Sequence, residues 1–323
     1  MIRGNMTKRV LVTAAYLAPG GGVDRLLGDA GFETVFATPA RRAASGLELH
    51  EVVADVDGIV AGTDAFTAKV LDAAPRLTVI GRCGVGYDNI DVEAATRNGV
   101  AVTYTPGVNR RSVAEHVLAL MLNCARHIPR NIASVQAGGW EQRSGRELEG
   151  ATLGVVGLGS IGRAVARLGL ALGMRVIAYD REPVFEEGVL VVGFDEVLRQ
   201  SDFLSLHIFL DPSTRHLIDA EALRAMKPEA YLINTARGEV VDEDALADAL
   251  ANGEVAGAAL DVLREEPLPA DSRLRGLDNV MVTAHIAGAT AEARSRSSLM
   301  ATQQVIDALH GRTPANLVNS VVI

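Results

Sequence analysis

Residues 152–180 constrain the fold most, because they place a glycine-rich turn between an apolar segment and a helical one. In "TLGVVGLGSIGRAVARLGLALGMRVIAYD", Gly157, Gly159 and Gly162 form a Gly-x-Gly-x-x-Gly pattern. The first glycine permits a tight turn, the second lets the backbone approach a pyrophosphate, and the third lets the helix pack closely on the strand. Asp180 ends the next strand, where its carboxylate can bind ribose hydroxyls and repel a 2′-phosphate. The motif predicts a site for NAD rather than NADP. The neighbouring Arg181 is the one feature that could weaken the preference for NAD over NADP.

Apolar segments alternate with helical ones along the rest of the chain. They include "KRVLVTAAY", "GIVAG" and "LTVIGRCG" before the glycine motif and "FLSLHI", "AYLINTA" and "VMVTAHI" after it. This alternation predicts the α/β class, with parallel sheets built from βαβ units. A chain of 323 residues usually divides into two domains. We expect two Rossmann- or flavodoxin-like doubly wound domains with a cleft between them: a substrate domain from residues 1–105 and 288–323, and an NAD-binding domain from residues 106–287.

The composition excludes several classes of partner. The net charge is −9 with no long basic run, which argues against nucleic acid. No apolar run reaches the roughly 20 residues that span a bilayer. The N-terminal segment is better explained by a first core strand at Val10–Val12 than by a signal peptide. Two cysteines, Cys83 and Cys124, fit a reducing cytosol and form no metal cluster. A cytoplasmic protein without a metal site is expected.

A long helical region is predicted after residue 107, in "SVAEHVLALMLNCARHIPRNIASVQAGGW". Ser112 is suited to cap it, with Glu115 three residues further on, as in a capping box. Near the other end of the chain, the segment from Ala291 is predicted to be helical and then extended. Its tail, "NLVNSVVI", is expected to rejoin the first domain.

Three side chains that suit acid–base chemistry follow successive apolar strands. Arg237 comes after one strand, Glu266 after the next, and His285 ends the strand after that. Because ligands of open α/β sheets bind outside the carboxyl ends of the strands, we expect the three to converge there. A histidine can exchange the hydroxyl proton, a carboxylate can orient it, and a guanidinium can grip a substrate carboxylate. Each residue alone is more often structural, and only their joint occurrence predicts hydride transfer between NAD and a 2-hydroxy acid.

The motifs "GRCGVGYDNID", "VGLGSIGRAVA", "NTARGEVVDEDAL", "LDVLREEPLP" and "TAHIAGAT" resemble those of the NAD-dependent D-isomer-specific 2-hydroxyacid dehydrogenases, in the phosphoglycerate dehydrogenase-like branch. The resemblance runs almost end to end. It implies that Arg237 binds the substrate carboxylate and carbonyl oxygen, and that Glu266 pairs with His285, the acid–base. It also implies a homodimer formed by the helical region that ends at Trp140.

The resemblance implies two further sets of contacts. The substrate set is Arg237, Arg82 and the backbone of Val85 and Gly86. The cofactor set is Gly157, Gly159, Ser160, Ile161, Gly162, Asp180, His207, Thr214, Thr235, Ala236, Arg237, Asp261, His285 and Gly288.

Two positions depart from the family pattern. Phosphoglycerate-specific members commonly carry an arginine where this chain has Ala61-Gly62, so phosphoglycerate is not favoured unless Arg82, Arg110 or Arg111 replaces that cation. The usual proline after the "SLH" strand is Phe209 here. Two alternatives stay open: an NAD-sensing, corepressor-like binding protein, and a dehydrogenase for an unusual donor such as phosphite.

Overall fold

The computed structural model describes residues 7–321, in which strands and helices alternate. The strands are β1 (Arg9–Val12), β2 (Glu33–Phe36), β3 (Gly58–Ala61), β4 (Val79–Arg82), β5 (Ala101–Thr103), β6 (Thr152–Val156), β7 (Arg175–Tyr179), β8 (Leu190–Val191), β9 (Phe203–Leu206), β10 (Tyr231–Asn234), β11 (Gly257–Leu260) and β12 (Val280–Val282). The helices are α1 (Gly22–Asp29), α2 (Pro39–Ser45), α3 (Leu49–Val52), α4 (Ala68–Asp72), α5 (Val92–Arg97), α6 (Arg110–Arg126), α7 (Ile128–Gln136), α8 (Ser160–Ala171), α9 (Phe194–Gln200), α10 (Ala220–Ala225), α11 (Glu243–Asn252) and α12 (Ala291–Leu309). Short 3-10 turns cover Gly238–Val240 and Arg273–Gly276.

The described residues up to Asn109, together with those from Ala291 onward, form one compact unit. Its five strands are parallel and follow the order β2-β1-β3-β4-β5, which is the flavodoxin-like doubly wound order. Helix α12 packs closely on this sheet at Gly81. A Cβ added there would lie 2.7 Å from the Ala301 carbonyl oxygen. The tail also returns as predicted: the Val318 amide donates to the Val102 carbonyl at 2.7 Å.

Residues Arg110–Thr290 form the second unit. Its seven strands follow the order β12-β11-β10-β9-β6-β7-β8, and every pair is parallel. Strand order reverses between β6 and β9, as in a Rossmann fold, and such reversal points open a ligand crevice at the carboxyl ends of the strands. The predicted fold class of two parallel α/β sheets is therefore confirmed. The units divide at 109/110 and 290/291, against the expected 105/106 and 287/288.

The long helical region differs from its prediction in two ways. It is two helices, because His127 adopts a left-handed conformation with φ of 52° between α6 and α7. The prediction of a capping box at Ser112 is wrong, because α6 already begins at Arg110 and Ser112 lies inside the helix. Glu115 instead pairs with Arg111, with Oε1 2.8 Å from Nε.

Candidate active site

The glycine-rich turn between β6 and α8 has the geometry that a dinucleotide requires. Gly157 has a φ of +91°, and a Cβ there would lie 2.5 Å from the His207 carbonyl oxygen. A Cβ at Gly162 would lie 2.0 Å from the Gly157 carbonyl oxygen, so only glycine lets α8 approach the turn this closely. A Cβ at Gly159 would meet no described atom within 4 Å, so the backbone there faces open space. The first amides of α8 border that space, and helix N-termini attract phosphate.

Asp180 follows β7 and is fixed beside the turn. Its Oδ2 accepts from the Leu158 amide at 2.7 Å, and its Oδ1 accepts from the Glu182 amide at 3.1 Å. A carboxylate offers about four acceptor positions, so capacity remains for ribose hydroxyls. Arg181 is drawn towards the loop after β9, where its Nη1 lies 3.6 Å from Asp211 Oδ2.

His207 and Thr214 shape the loop that follows β9. His207 is partly buried, and its Nε2 lies 2.8 Å from Ser205 Oγ. Removal of the imidazole from water lowers the pKa of His207 to about 3, so the ring is neutral at pH 7. Thr214 Oγ1 donates to the Phe209 carbonyl at 2.7 Å and closes the loop. Phe209, where the resemblance expects proline, is exposed.

The segment after β10 carries Thr235, Ala236 and Arg237. The hydroxyl of Thr235 is buried and finds no hydrogen-bond partner among residues 7–321. Leaving such a group unsatisfied costs about 1–3 kcal/mol, so a ligand that reached it would recover that energy. The unit therefore offers a buried hydroxyl at Thr235, without a partner in the described part of the chain, and an open backbone at Gly159, which fit a polar ligand.

Gly238, the residue after Arg237, lies against the loop that contains Glu266. A Cβ at Gly238 would lie 1.9 Å from the carbonyl carbon of Leu263, so the two backbones touch. Arg237 is partly buried, and its Nη1 donates to the Ala236 carbonyl at 2.7 Å.

His285 and Glu266 are hydrogen-bonded, with His285 Nδ1 2.9 Å from Glu266 Oε2. Glu266 Oε1 accepts from the Leu263 amide at 3.1 Å, which orients the carboxylate. The carboxylate accepts from Nδ1–H, so Nε2 is the nitrogen left for proton exchange. The two side chains are 48% and 39% exposed. They border a cavity of about 410 Å³ whose apolar lining includes Leu263, Pro267, Leu268 and Val282.

The prediction that His285 ends a strand needs correction. Strand β12 stops at Val282, and His285 lies three residues further on in a turn where its φ is +53°. The turn is held by Asp261, whose side chain is 1% exposed. Burial raises the pKa of the Asp261 carboxyl, but hydrogen bonds from His116, Thr283 and two backbone amides outweigh burial and hold that pKa below its usual value. Asp261 therefore stays ionised and orders the turn.

The substrate residues predicted in the first unit lie at the end of β4, which is Arg82, and in the loop that follows it. Arg82 folds over Gly84, where an added Cβ would lie 2.7 Å from Arg82 Nη1, and it donates to the Cys83 carbonyl. Val85 and Gly86 follow in the same loop and are partly buried. Of the other arginines considered for phosphate, Arg110 is exposed and Arg111 pairs with Glu115.

Sequence reasoning missed the side chains that support the His285 turn from α6. They are His116, close to Thr283 and Asp261, and Ser112, whose hydroxyl lies 2.8 Å from that of Thr290. The signal in the sequence was that Ser112 and His116 are four apart in a predicted helix, which indicates a shared face but not its partner.

Comparison with known proteins identifies the family. The family model described as "D-isomer specific 2-hydroxyacid dehydrogenase, NAD binding domain" matches residues 118–287. A glyoxylate reductase of Korarchaeum cryptofilum is 43% identical, over 84% of this chain and 86% of its own length. A D-3-phosphoglycerate dehydrogenase of Methanocaldococcus jannaschii is 44% identical, over 85% of this chain and 55% of its own length. A crystal structure of D-lactate dehydrogenase from Aquifex aeolicus, complexed with NAD and lactic acid, has a TM-score of 0.82 at 32% identity and covers 96% of this chain and 98% of its own.

This chain belongs to the D-isomer-specific 2-hydroxyacid dehydrogenase family. It is an NAD-dependent oxidoreductase that acts on CH–OH donors, as the resemblance predicted. Between residues 7 and 321, no helix is both long and apolar enough to cross a membrane.

Proposed function

We propose that the protein reduces a small 2-oxo acid to the D-2-hydroxy acid with NADH and catalyses the reverse oxidation. The observation that carries the proposal is the pair of His285 Nδ1 and Glu266 Oε2, 2.9 Å apart at the edge of a cavity. A histidine held by a carboxylate is suited to give and take a proton near neutral pH. The relatives named glyoxylate reductase and D-lactate dehydrogenase have names that refer to a small 2-oxo acid and a small 2-hydroxy acid.

Each side chain has a separate part in the proposed reaction. NADH supplies the hydride for the carbonyl carbon when it is bound. His285 Nε2 donates a proton to the carbonyl oxygen of the substrate. The Glu266 carboxylate stabilises the imidazolium before this transfer, and afterwards it holds the neutral ring in the tautomer with the hydrogen on Nδ1. Arg237 binds the substrate carboxylate and polarises the carbonyl, while Arg82 and the amides of Val85 and Gly86 provide further donors. In the oxidation direction, His285 takes the proton from the hydroxyl.

The proposed NAD site is built on the β6–α8 turn. The amides near Gly159, Ser160 and Ile161 would bind the pyrophosphate of NAD, and Asp180 would accept from the ribose hydroxyls. The unsatisfied Thr235 hydroxyl is a further donor. The rest of the proposed set comprises His207, Thr214, Ala236, Asp261 and Gly288.

Asp180→Ala is expected to narrow the preference for NADH over NADPH by about tenfold or more, because a hydrogen bond to a charged group contributes about 1.5–3 kcal/mol. The measurement is kcat/KM for each cofactor at a fixed 2-oxo acid concentration. Asp180→Asn is the control for the contact to the Leu158 amide, since it keeps an acceptor there and removes only the charge. An unchanged cofactor ratio in both variants would contradict the assignment.

The proposed substrate carries no phosphate. Ala61 is buried, and a Cβ at Gly62 would lie 2.8 Å from the Ala14 Cα, so neither position has room for a long cationic side chain. The experiment compares kcat/KM for hydroxypyruvate and phosphohydroxypyruvate. We expect the unphosphorylated acid to be preferred, and a preference for the phosphorylated one would show that another arginine binds the phosphate.

The proposed cytoplasmic protein is a homodimer formed through α7. Ile128, Ile132 and Val135 recur at positions i, i+4 and i+7, so they share one face of α7, and all three are exposed. Trp140, just beyond the helix, is 79% exposed. An apolar stripe of this kind fits a second copy of the chain. The buried thiols of Cys83 and Cys124 are unpaired, which fits a reducing compartment.

Ile132→Asp is expected to shift the protein from dimer to monomer, because it places a charge in the centre of the apolar stripe. The measurement is the mass in solution by light scattering across a range of protein concentrations. Ala133→Asp adds the same charge at an exposed position of α7 away from the apolar stripe and should leave the mass unchanged. A monomeric wild-type protein, or a dimeric Ile132→Asp, would refute this interface.

A further inference from the structure

Helix α6 supports both ends of the turn that carries His285. At one end, His116 Nε2 lies 3.3 Å from Thr283 Oγ1 and 3.5 Å from Asp261 Oδ1. At the other end, the hydroxyls of Ser112 and Thr290 lie 2.8 Å apart. Residues four apart on a helix are neighbours on one face, so Ser112 and His116 form a single supporting surface.

The hydroxyl of Thr283 fixes the direction of the hydrogen bonds. It lies 2.5 Å from Asp261 Oδ1 and donates to it, because an ionised carboxylate can only accept. A hydroxyl has one hydrogen, so towards His116 its oxygen is the acceptor. His116 Nε2 therefore carries a hydrogen and donates to Thr283.

Asp261 in turn gathers three successive amides of the turn. Its carbonyl oxygen accepts from the His285 amide at 2.9 Å. Its carboxylate accepts from the Ile286 amide at 2.8 Å and the Ala287 amide at 2.7 Å. The positive φ of His285 is uncommon for a residue with a side chain, and such a conformation persists only where its surroundings enforce it. The position of the imidazole therefore depends on Asp261.

We infer that His116 is a positioning residue for proton transfer at His285. It acts by donating to Thr283 beside Asp261, and so keeps the turn in the form that aligns His285 with Glu266. The inference rests on the proposed function, because it assigns His116 a part in that reaction. No proton-transfer step is assigned to His116 itself.

The kinetic test compares His116→Leu with His116→Gln in the full chain. Leucine removes the donor, whereas glutamine keeps an N–H donor at a similar reach. We expect leucine to lower kcat about tenfold, in line with the loss of one hydrogen bond in a charged network. The Kd for NADH and the KM for the 2-oxo acid should change by less than about twofold, because the loss concerns the chemical step. Glutamine should restore most of kcat, and the exposed neighbour Glu115→Gln is the control on the same helix.

Hydrogen exchange of the 283–290 segment gives a readout that needs no turnover. In His116→Leu we expect the amides of Ile286 and Ala287 to exchange about tenfold faster, with the rate restored by glutamine. Thr283→Val should have the same effect, and the double variant with His116→Leu should add little, because both residues belong to one chain of donors. If the wild-type protein reduced no 2-oxo acid, the proposed function would be wrong. The hydrogen-exchange rates would still test whether His116 stabilises the turn. Unchanged exchange and kcat in His116→Leu, or equal losses with leucine and glutamine, would overturn the inference.

Discussion

His285→Ala is expected to lower kcat for 2-oxo acid reduction by about a hundredfold or more, which is the usual contribution of a positioned general acid. The Nδ1 atom of His285 is held by Glu266 Oε2 at 2.9 Å, which leaves Nε2 to deliver the proton. Alanine removes that proton donor but none of the glycine-rich turn. NADH should therefore still bind with a Kd within a few fold of wild type. Steady-state turnover and fluorescence titration of NADH measure the two quantities.

Glu266→Gln is the companion variant for this pair. The amide oxygen can still accept from His285 Nδ1–H, but the negative charge that stabilises the imidazolium is gone. We expect kcat to fall, but less than in His285→Ala, because the imidazole keeps its hydrogen-bond acceptor and loses only the charge that stabilises the imidazolium. Turnover near the wild-type rate in His285→Ala would remove the acid–base assignment.

Arg237→Lys is expected to lower kcat/KM by about tenfold to a hundredfold, because a hydrogen bond to a charged group contributes about 1.5–3 kcal/mol and one ammonium cannot reproduce a two-pronged contact. The effect should appear in both kcat and KM, since the guanidinium is assigned to the carboxylate and to the carbonyl oxygen. The positive charge is kept, so a loss in this variant reports geometry rather than electrostatics. The measurement is kcat and KM for the 2-oxo acid at saturating NADH.

The matched control is Arg215→Lys in the same unit. Arg215 is exposed, and its Nη1 pairs with Glu239 Oε1 at 2.6 Å, so lysine should retain most of its contact and leave kinetics unchanged. Wild-type kcat and KM in Arg237→Lys would contradict its role in binding the substrate.

The parts of the molecule that local sequence dictates were predictable. Two of the three glycines have the predicted backbone geometry, because a positive φ at Gly157 and a close approach at Gly162 are requirements of one short turn. Asp180 also lies beside that turn, since it directly follows the next strand of the same βαβ unit. The parallel sheets follow from apolar strands that alternate with helices.

Contacts between distant segments were not predictable. The support of the His285 turn joins His116 to Thr283 and Ser112 to Thr290, which are 167 and 178 residues apart in the chain. The first residues of α6 gave a false capping signal, because Ser112 and Glu115 match the pattern although the helix starts at Arg110. The left-handed conformation of His285 was also hidden, because it is enforced by Asp261 rather than by the residues around it in the sequence.

Steady-state NADH oxidation by the wild-type protein, with glyoxylate and with hydroxypyruvate, is the most direct test of the proposed 2-oxo acid reduction. We expect turnover that requires the 2-oxo acid, with D-glycerate as the product from hydroxypyruvate, and loss of that turnover in His285→Ala. Tight binding of NADH without reduction of either acid would contradict the proposed function and would favour a protein that senses NAD or oxidises a different donor.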